Sequence, residues 1–137
     1  YDFDPSSMEI LLELEFPDNA ASSFAVVLTN ADGEEYRIGF DAGSNEFFSD
    51  RTRSGNLRFS DKFALKRHVA PRQSEAKTLK MHLFFDVASC ELFADGGETA
   101  MTDIIFPTKK FSRIRFESVN GAVNMKSAML YELKSAR

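Results

Sequence analysis

The chain has 137 residues, of which 43% are hydrophobic and 28% charged. That is enough for one ordinary domain, spanning 1–137, with a core that needs no disulfide or metal staple. No apolar run exceeds five residues, the longest being Phe24 to Leu28, so no segment can cross a bilayer as a helix. The net charge of -4 comes from 21 acidic and 17 basic residues scattered along the chain, the wrong sign for gripping a phosphate backbone. A lone cysteine, Cys90, excludes an internal disulfide, and with only His68 and His82 beside it no zinc-ligand spacing exists. No cofactor is expected. The chain starts at Tyr1 without an initiator Met or a signal-peptide pattern, as expected of a processed chain or an excised segment.

Met8, Ile10, Leu12, Leu14 and Phe16 alternate with Glu9, Glu13 and Glu15, a period of two that predicts a strand stopped by Pro17. Phe24, Val26 and Leu28 predict a second strand, and Tyr36, Ile38 and Phe40 a third. Ala31 to Glu34 supplies the hairpin loop between them. The segment Phe40 to Asp50 resembles Phe85 to Asp95, sharing Phe, Asp, Ser, Glu, Phe and Asp at matching offsets, and both read as strand-turn-strand units. Ser60 to His68 is the one weak helical candidate, a single turn carrying Phe63 and Leu65.

Further rows follow: Leu79, Met81, Leu83 and Phe85; Cys90, Leu92 and Ala94; Ile104 and Phe106; Ile114 and Phe116 alternating with Arg113 and Arg115; Met129, Tyr131 and Leu133. Asp95-Gly96-Gly97 supplies residues that accept positive φ, and Asn120-Gly121 reads as a two-residue hairpin. Fourteen Phe and no Trp suit pleated, half-buried surfaces, with the rings expected mainly on inner faces. The prediction is an all-β fold: a two-sheet antiparallel β-sandwich of the jelly-roll, concanavalin A-like kind.

Chemistry is sparse. Asp86 and Glu91 are the obvious acid pair, yet they flank a turn where neither carboxyl has reason to stay protonated, so the turn reading is preferred: Asp86, Glu91, Asp95 and Gly97 form a turn signature. Cys90 sits at an inward strand position and reads as core. His82 shares a strand face with Lys80 and Phe84 and lacks metal-ligand neighbours. The segment Asp50 to Gly55 combines guanidinium donors and hydroxyls suited to a carboxylate or to sugar hydroxyls, and Arg67 to Arg72 continues a long patternless connection. Arg51, Arg53, Arg67 and His68 are therefore the candidate interdomain or sugar contacts.

Asp50-Arg51-Thr52-Arg53-Ser54-Gly55, Phe59, Phe63 and Arg67-His68-Val69-Ala70-Pro71 recur in order with Leu83-Phe84-Phe85-Asp86, Glu91-Leu92-Phe93, Asp95-Gly96-Gly97-Glu98 and Tyr131-Glu132-Leu133-Lys134. In combination they resemble the C-terminal β-sandwich module of glycoside hydrolase family 32, the family of invertases, levanases and inulinases. The resemblance implies a catalytic five-bladed propeller elsewhere in a parent fructosidase. The family's Asn-Asp-Pro, Arg-Asp-Pro and Glu-Cys motifs are absent, so no catalytic carboxylate carries over to this chain. Where relatives read Arg-Ser-Ser-Val-Glu this chain has Val87-Ala88-Ser89-Cys90-Glu91, and Asp95 stands where Asn is common.

The leading expectation is a non-catalytic module that packs on and stabilises the propeller of a β-fructofuranosidase, secreted or periplasmic by resemblance. The alternatives are a lectin-like module that recruits fructan and an oligomerising module that forms homodimers. Exposed aromatic platforms for sugar are expected only at Tyr1, Tyr36 and Tyr131.

Overall fold

A computed structural model describes residues 7–17, 21–53, 68–86, 89–105, 109 and 111–132, with the side chains of 51–53 and 132 excepted. Its strands are β1 (Met8–Glu15), β2 (Ser23–Thr29), β3 (Glu35–Asp41), β4 (Glu46–Arg53), β5 (His68–Pro71), β6 (Thr78–Asp86), β7 (Ser89–Ala94), β8 (Thr99–Ile104), β9 (Arg113–Val119) and β10 (Asn124–Glu132). One sheet runs β10-β1-β6-β7-β8 and the other β5-β4-β3-β2-β9. Every pairing is antiparallel. The two inner faces enclose one core, as alternation requires when one face of each sheet meets the other and the opposite face meets water.

The strongest sequence rows are the core. In β1, Met8, Ile10, Leu12 and Leu14 are buried while the residues between them are half-buried. Tyr36, Ile38 and Phe40 of β3 face Leu79, Met81, Leu83 and Phe85 of β6 within the same cluster, with Cys90, Leu92 and Ala94 beside them. Phe40 lies 4.9 Å from Phe47 of its own sheet and 5.4 Å from Phe16, which follows β1 of the other sheet, between centroids. The β2–β3 hairpin is organised by Asn30. Its Oδ1 accepts from the amides of Asp32 (3.0 Å) and Glu34 (3.1 Å), and its Nδ2 donates to the Lys109 carbonyl (2.9 Å).

Five expectations need correction, the first being Tyr36, which is fully buried in β3 rather than an exposed platform. Asn120-Gly121 does adopt positive φ (62° and 138°), but it makes no hairpin: β9 pairs with β2 and β10 with β1, in different sheets. Turn chemistry dictates that the chain reverses, not which strand it pairs with afterwards. In β8 the inward residues are Thr99, Met101 and Asp103, and Ile104 is 51% exposed.

In β10 the register shifts opposite Glu13/Leu14, so the side-chain phase flips along the strand. Met125 packs on the core, whereas Met129 and Tyr131 pair with Leu11 and Glu9 on the outer face. His68 to Pro71, expected to be patternless, forms edge strand β5 against β4, with Pro71 at its end where no ladder donor is lost. The two similar segments are both hairpins, as expected, but their registers differ: Phe40 pairs with Phe47, whereas Phe85 pairs with Cys90. Their shared offsets therefore do not place equivalent residues in equivalent positions. The helical turn expected at Ser60 to His68 lies outside the described residues except for His68, which opens β5.

Candidate functional site

Two clusters gather most of the polar chemistry among the described residues. The first is a buried seam between the sheets at their β5/β8 side. Asp103, brought inward by the alternation of β8, is 2% exposed. Its Oδ2 accepts from the Tyr36 hydroxyl at 2.5 Å, and its Oδ1 lies 3.0 Å from His68 Nδ1. The Cys90 thiol is in hydrogen-bonding contact with Tyr36.

Burial is the main cause that holds the Tyr36 phenol well above its ordinary range, with the nearby Cys90 and Asp103 adding to it. Burial likewise pushes the Cys90 thiol far up. A His-Asp pair beside a hydroxyl and a thiol resembles a nucleophile relay, but the thiol is fully buried and held protonated, and the hydroxyl's proton already serves Asp103. The seam pins one sheet to the other.

Asp95 is an anchor of a different kind. It stands at φ 54° in the tight turn after β7, and Arg72 grips it with Nε to Oδ2 at 2.9 Å and Nη2 to Oδ1 at 3.2 Å. The same Nη2 donates to the Ala76 carbonyl at 2.8 Å, while the guanidinium carbon lies 5.8 Å from the Phe40 ring centroid. One arginine thus ties the β5–β6 connection, the β7–β8 turn and the core edge together.

The second cluster is a groove of about 580 Å³ on the outer face of the β1 sheet. Leu11, Phe93 and Met129 give it apolar surface, and Glu13, Lys80, His82 and Ser127 supply polar groups. Gly96 and Gly97 border it with positive φ and open space where side chains would stand. His82 Nε2 is hydrogen-bonded to Glu9 and its ring lies 4.4 Å from that of Phe84, which meets Phe93 edge-on at 6.0 Å. Glu13 and Lys80 are register partners across β1 and β6, yet neither side chain makes an ion pair or hydrogen bond among the described residues.

Of the residues singled out from sequence, His68 lies on the seam, Asp95 in the Arg72 fork and Gly97 at the groove's edge. Asp86 pairs with Ser89 and Glu91 with Phe84, so the two acids are exposed diagonal neighbours on the outer face. Arg51 and Arg53 belong to β4, but their side chains, and all of Arg67, lie outside the described residues. Sequence reasoning missed Asp103 and Phe93. Asp103 shares the inward phase of Thr99 and Met101, and Phe93 is out of phase with Cys90, Leu92 and Ala94, so both signals were present. Among the described residues no three His, Cys, Asp or Glu side chains converge to hold a metal ion.

A two-sheet antiparallel sandwich whose buried Asp103 and Asp95 carboxylates are consumed in holding it together defines the chain as a β-sandwich module. Residues 2–132 match the family described as Glycosyl hydrolases family 32 C terminal, and the chain belongs to that family. It is 35% identical over 127 residues to a levanase of Bacillus sp. (strain L7), covering 92% of this chain and 14% of the relative. It is 32% identical over 117 residues to an extracellular exo-inulinase of Aspergillus awamori, covering 84% of this chain and 22% of the relative. The crystal structure of exo-inulinase from Aspergillus awamori superposes with a TM-score of 0.83 at 28% identity, covering 96% of this chain and 26% of that one. The chain therefore spans between a seventh and about a quarter of the length of these relatives.

Proposed function

We propose that this chain is the non-catalytic sandwich of a fructan- or sucrose-hydrolysing β-fructofuranosidase, and that it packs on the catalytic domain and stabilises it. The observation that carries the reading is the family match over residues 2–132, in a segment that covers only a small share of enzymes named levanase and exo-inulinase. It is supported by the use made of the buried acids: Asp103 is occupied by Tyr36 and His68, and Asp95 by Arg72. Neither is left to protonate a leaving group.

The docking side in this reading is the β5/β8 edge. Val69 (48% exposed) and Ile104 (51%) stand there beside the half-exposed His68, and Arg51 and Arg53 belong to the adjoining strand. Exposed aliphatic residues beside a half-exposed histidine fit the centre and rim of an interdomain contact.

The test has two parts. The purified 137-residue chain should release no fructose from levan, inulin or sucrose, and measurable release sinks the non-catalytic reading. In the parent enzyme, Val69→Asp with Ile104→Asp should lower the thermal midpoint and leave KM unchanged. An unchanged midpoint refutes docking at this edge.

A further inference from the structure

The groove on the outer face of the β1 sheet has no part in the seam or in the β5/β8 edge, and its chemistry selects a ligand. Its volume of about 580 Å³ suits a ligand of two or three sugar rings. Its floor cannot recognise a peptide by strand addition, because β1 and β6 are each hydrogen-bonded to strands on both sides and offer no free ladder groups. Recognition must come from side chains. Phe93 is 40% exposed and Met129 44%, at the two ends of a cross-strand row that runs Met129-Leu11-His82-Phe93, so two apolar patches flanking the His82 ring face water with no covering segment among the described residues.

The charges argue for a neutral, polyhydroxylated partner. Glu13 and Lys80 sit side by side across β1 and β6 as one acceptor and one donor set of opposite sign, with no partners among the described residues. A hydroxyl donates to the carboxylate while its neighbour accepts from the ammonium, and no net charge is demanded of the ligand. The other acids of β1 are already taken: Glu9 by His82, and Glu15 by Lys126 at 3.6 Å and Thr78 at 3.2 Å. An apolar platform beside an unused donor–acceptor pair matches a sugar ring, which presents an apolar face of C–H groups and an edge of hydroxyls.

We propose that this groove binds a neutral oligosaccharide, with one ring packed on Phe93, another on Leu11 and Met129, and hydroxyls held by Glu13 and Lys80. The site rests on the groove alone; the choice of fructan as first probe rests on the proposed function.

The experiment titrates the 137-residue chain with levan and inulin oligomers and, separately, with malto-oligosaccharides, by calorimetry and by amide chemical-shift mapping. The expected result is saturable binding with a dissociation constant on the order of 1 mM, as fits an open groove. Shifts should be confined to β1, β6, β7 and β10. Phe93→Ala should weaken binding at least about tenfold and Glu13→Gln about fivefold, while Arg115→Ala on the other sheet leaves it unchanged.

Each variant's melting curve confirms folding, which outward-facing residues should not disturb. Fructan binding supports both the site and the parent's substrate class. Binding of malto-oligosaccharides alone supports the site and counts against the fructan reading. Absence of heat and shifts with all three at about ten times the expected constant overturns the proposal, as does binding that survives Phe93→Ala intact.

Discussion

Gly39, in the middle of β3, is the most demanding position in the sheet. A Cβ built there would lie 1.8 Å from the Phe24 carbonyl oxygen and 2.8 Å from both the Phe24 carbonyl carbon and the Ala25 Cα. All three are backbone atoms of β2, the register partner, so no side chain can swing aside. Gly39→Ala therefore forces β2 and β3 apart by more than 1 Å at a point where strands normally lie about 4.8 Å apart. Two ladder hydrogen bonds stretched by that amount cease to be bonds. Each is worth about 1 kcal/mol net, and a buried group left unpaired adds about 1 to 3 kcal/mol.

The expected destabilisation is about 3 to 5 kcal/mol, a large part of the roughly 5 to 15 kcal/mol that holds a domain together. It should appear in urea unfolding as a lower midpoint at constant slope, and as a drop in Tm of about 10 °C or more. Gly33→Ala is the control. Gly33 has φ 77° but nothing within 4 Å, so only backbone strain of about 1 to 2 kcal/mol applies. If Gly39→Ala costs under about 1 kcal/mol, or no more than Gly33→Ala, the close-approach reasoning is wrong.

The seam makes stability sensitive to alkali. The unfolded Cys90 thiol ionises near pH 9 and the unfolded Tyr36 phenol near pH 10, while burial keeps both protonated in the fold. The unfolded state then binds fewer protons, so stability is full below about pH 9 and falls above it by up to about 1.4 kcal/mol per pH unit per group. Cys90→Ala should delay the onset to about pH 10, and urea midpoints that stay flat from pH 8 to 11 in the parent chain would contradict this.

Asp103→Ala leaves the buried Tyr36 hydroxyl without its acceptor and should cost about 2 to 4 kcal/mol. Tyr36→Phe added to it should cost little more, and fully additive losses would show that the two do not form one unit. Glu117 is held below the usual carboxylate range, chiefly by its hydrogen bond from Arg37. Its contribution is present above pH 4.5 and is lost as pH falls through the lowered value, so Glu117→Gln should flatten the acid limb. Because the pair is partly solvated, its effect near neutrality should stay within about 1 kcal/mol; a larger one would contradict this.

The strands that fill the core were legible because one-sided burial writes itself as alternation, seen most clearly in Met8 to Leu14 and Leu79 to Phe85. What failed was long-range or off-period. The bulge that turns Met129 and Tyr131 outward depends on pairing with β1, more than a hundred residues away, and leaves no local mark in β10. The separation of β9 from β10 likewise depends on which free edge each strand finds. The seam joins Tyr36 to Asp103 across 67 positions, and nothing near either residue announces the other. Asp103 was hidden further because the adjacent Ile104 seemed the natural inward residue, although Met101 had already set the phase. Pattern supplied the all-β sandwich and resemblance the family, but the resemblance could not place Phe93 on an outer face.

Under the two proposals, the two outer faces divide the module's work. On the β2 sheet, Val27 is fully buried although it points away from the main core, because it clusters with Ala25 and Phe48 and has Arg37 and Arg115 as register partners on both sides. Their stems cover Val27, and their charged heads join Glu35 and Glu117 in a lattice with contacts of 3.3 to 3.5 Å in addition to the Arg37–Glu117 pair. Any partner laid on that face must strip water from four charges that already satisfy one another, and the new contacts would have little to offer in return. On the β1 sheet the balance is reversed. Apolar Phe93 and Met129 remain in water and Glu13 and Lys80 lack partners among the described residues, so a ligand there replaces solvent without breaking a network those residues form. Recognition is therefore expected on the β1 face and domain docking along the β5/β8 edge, with the β2 face serving stability and solubility.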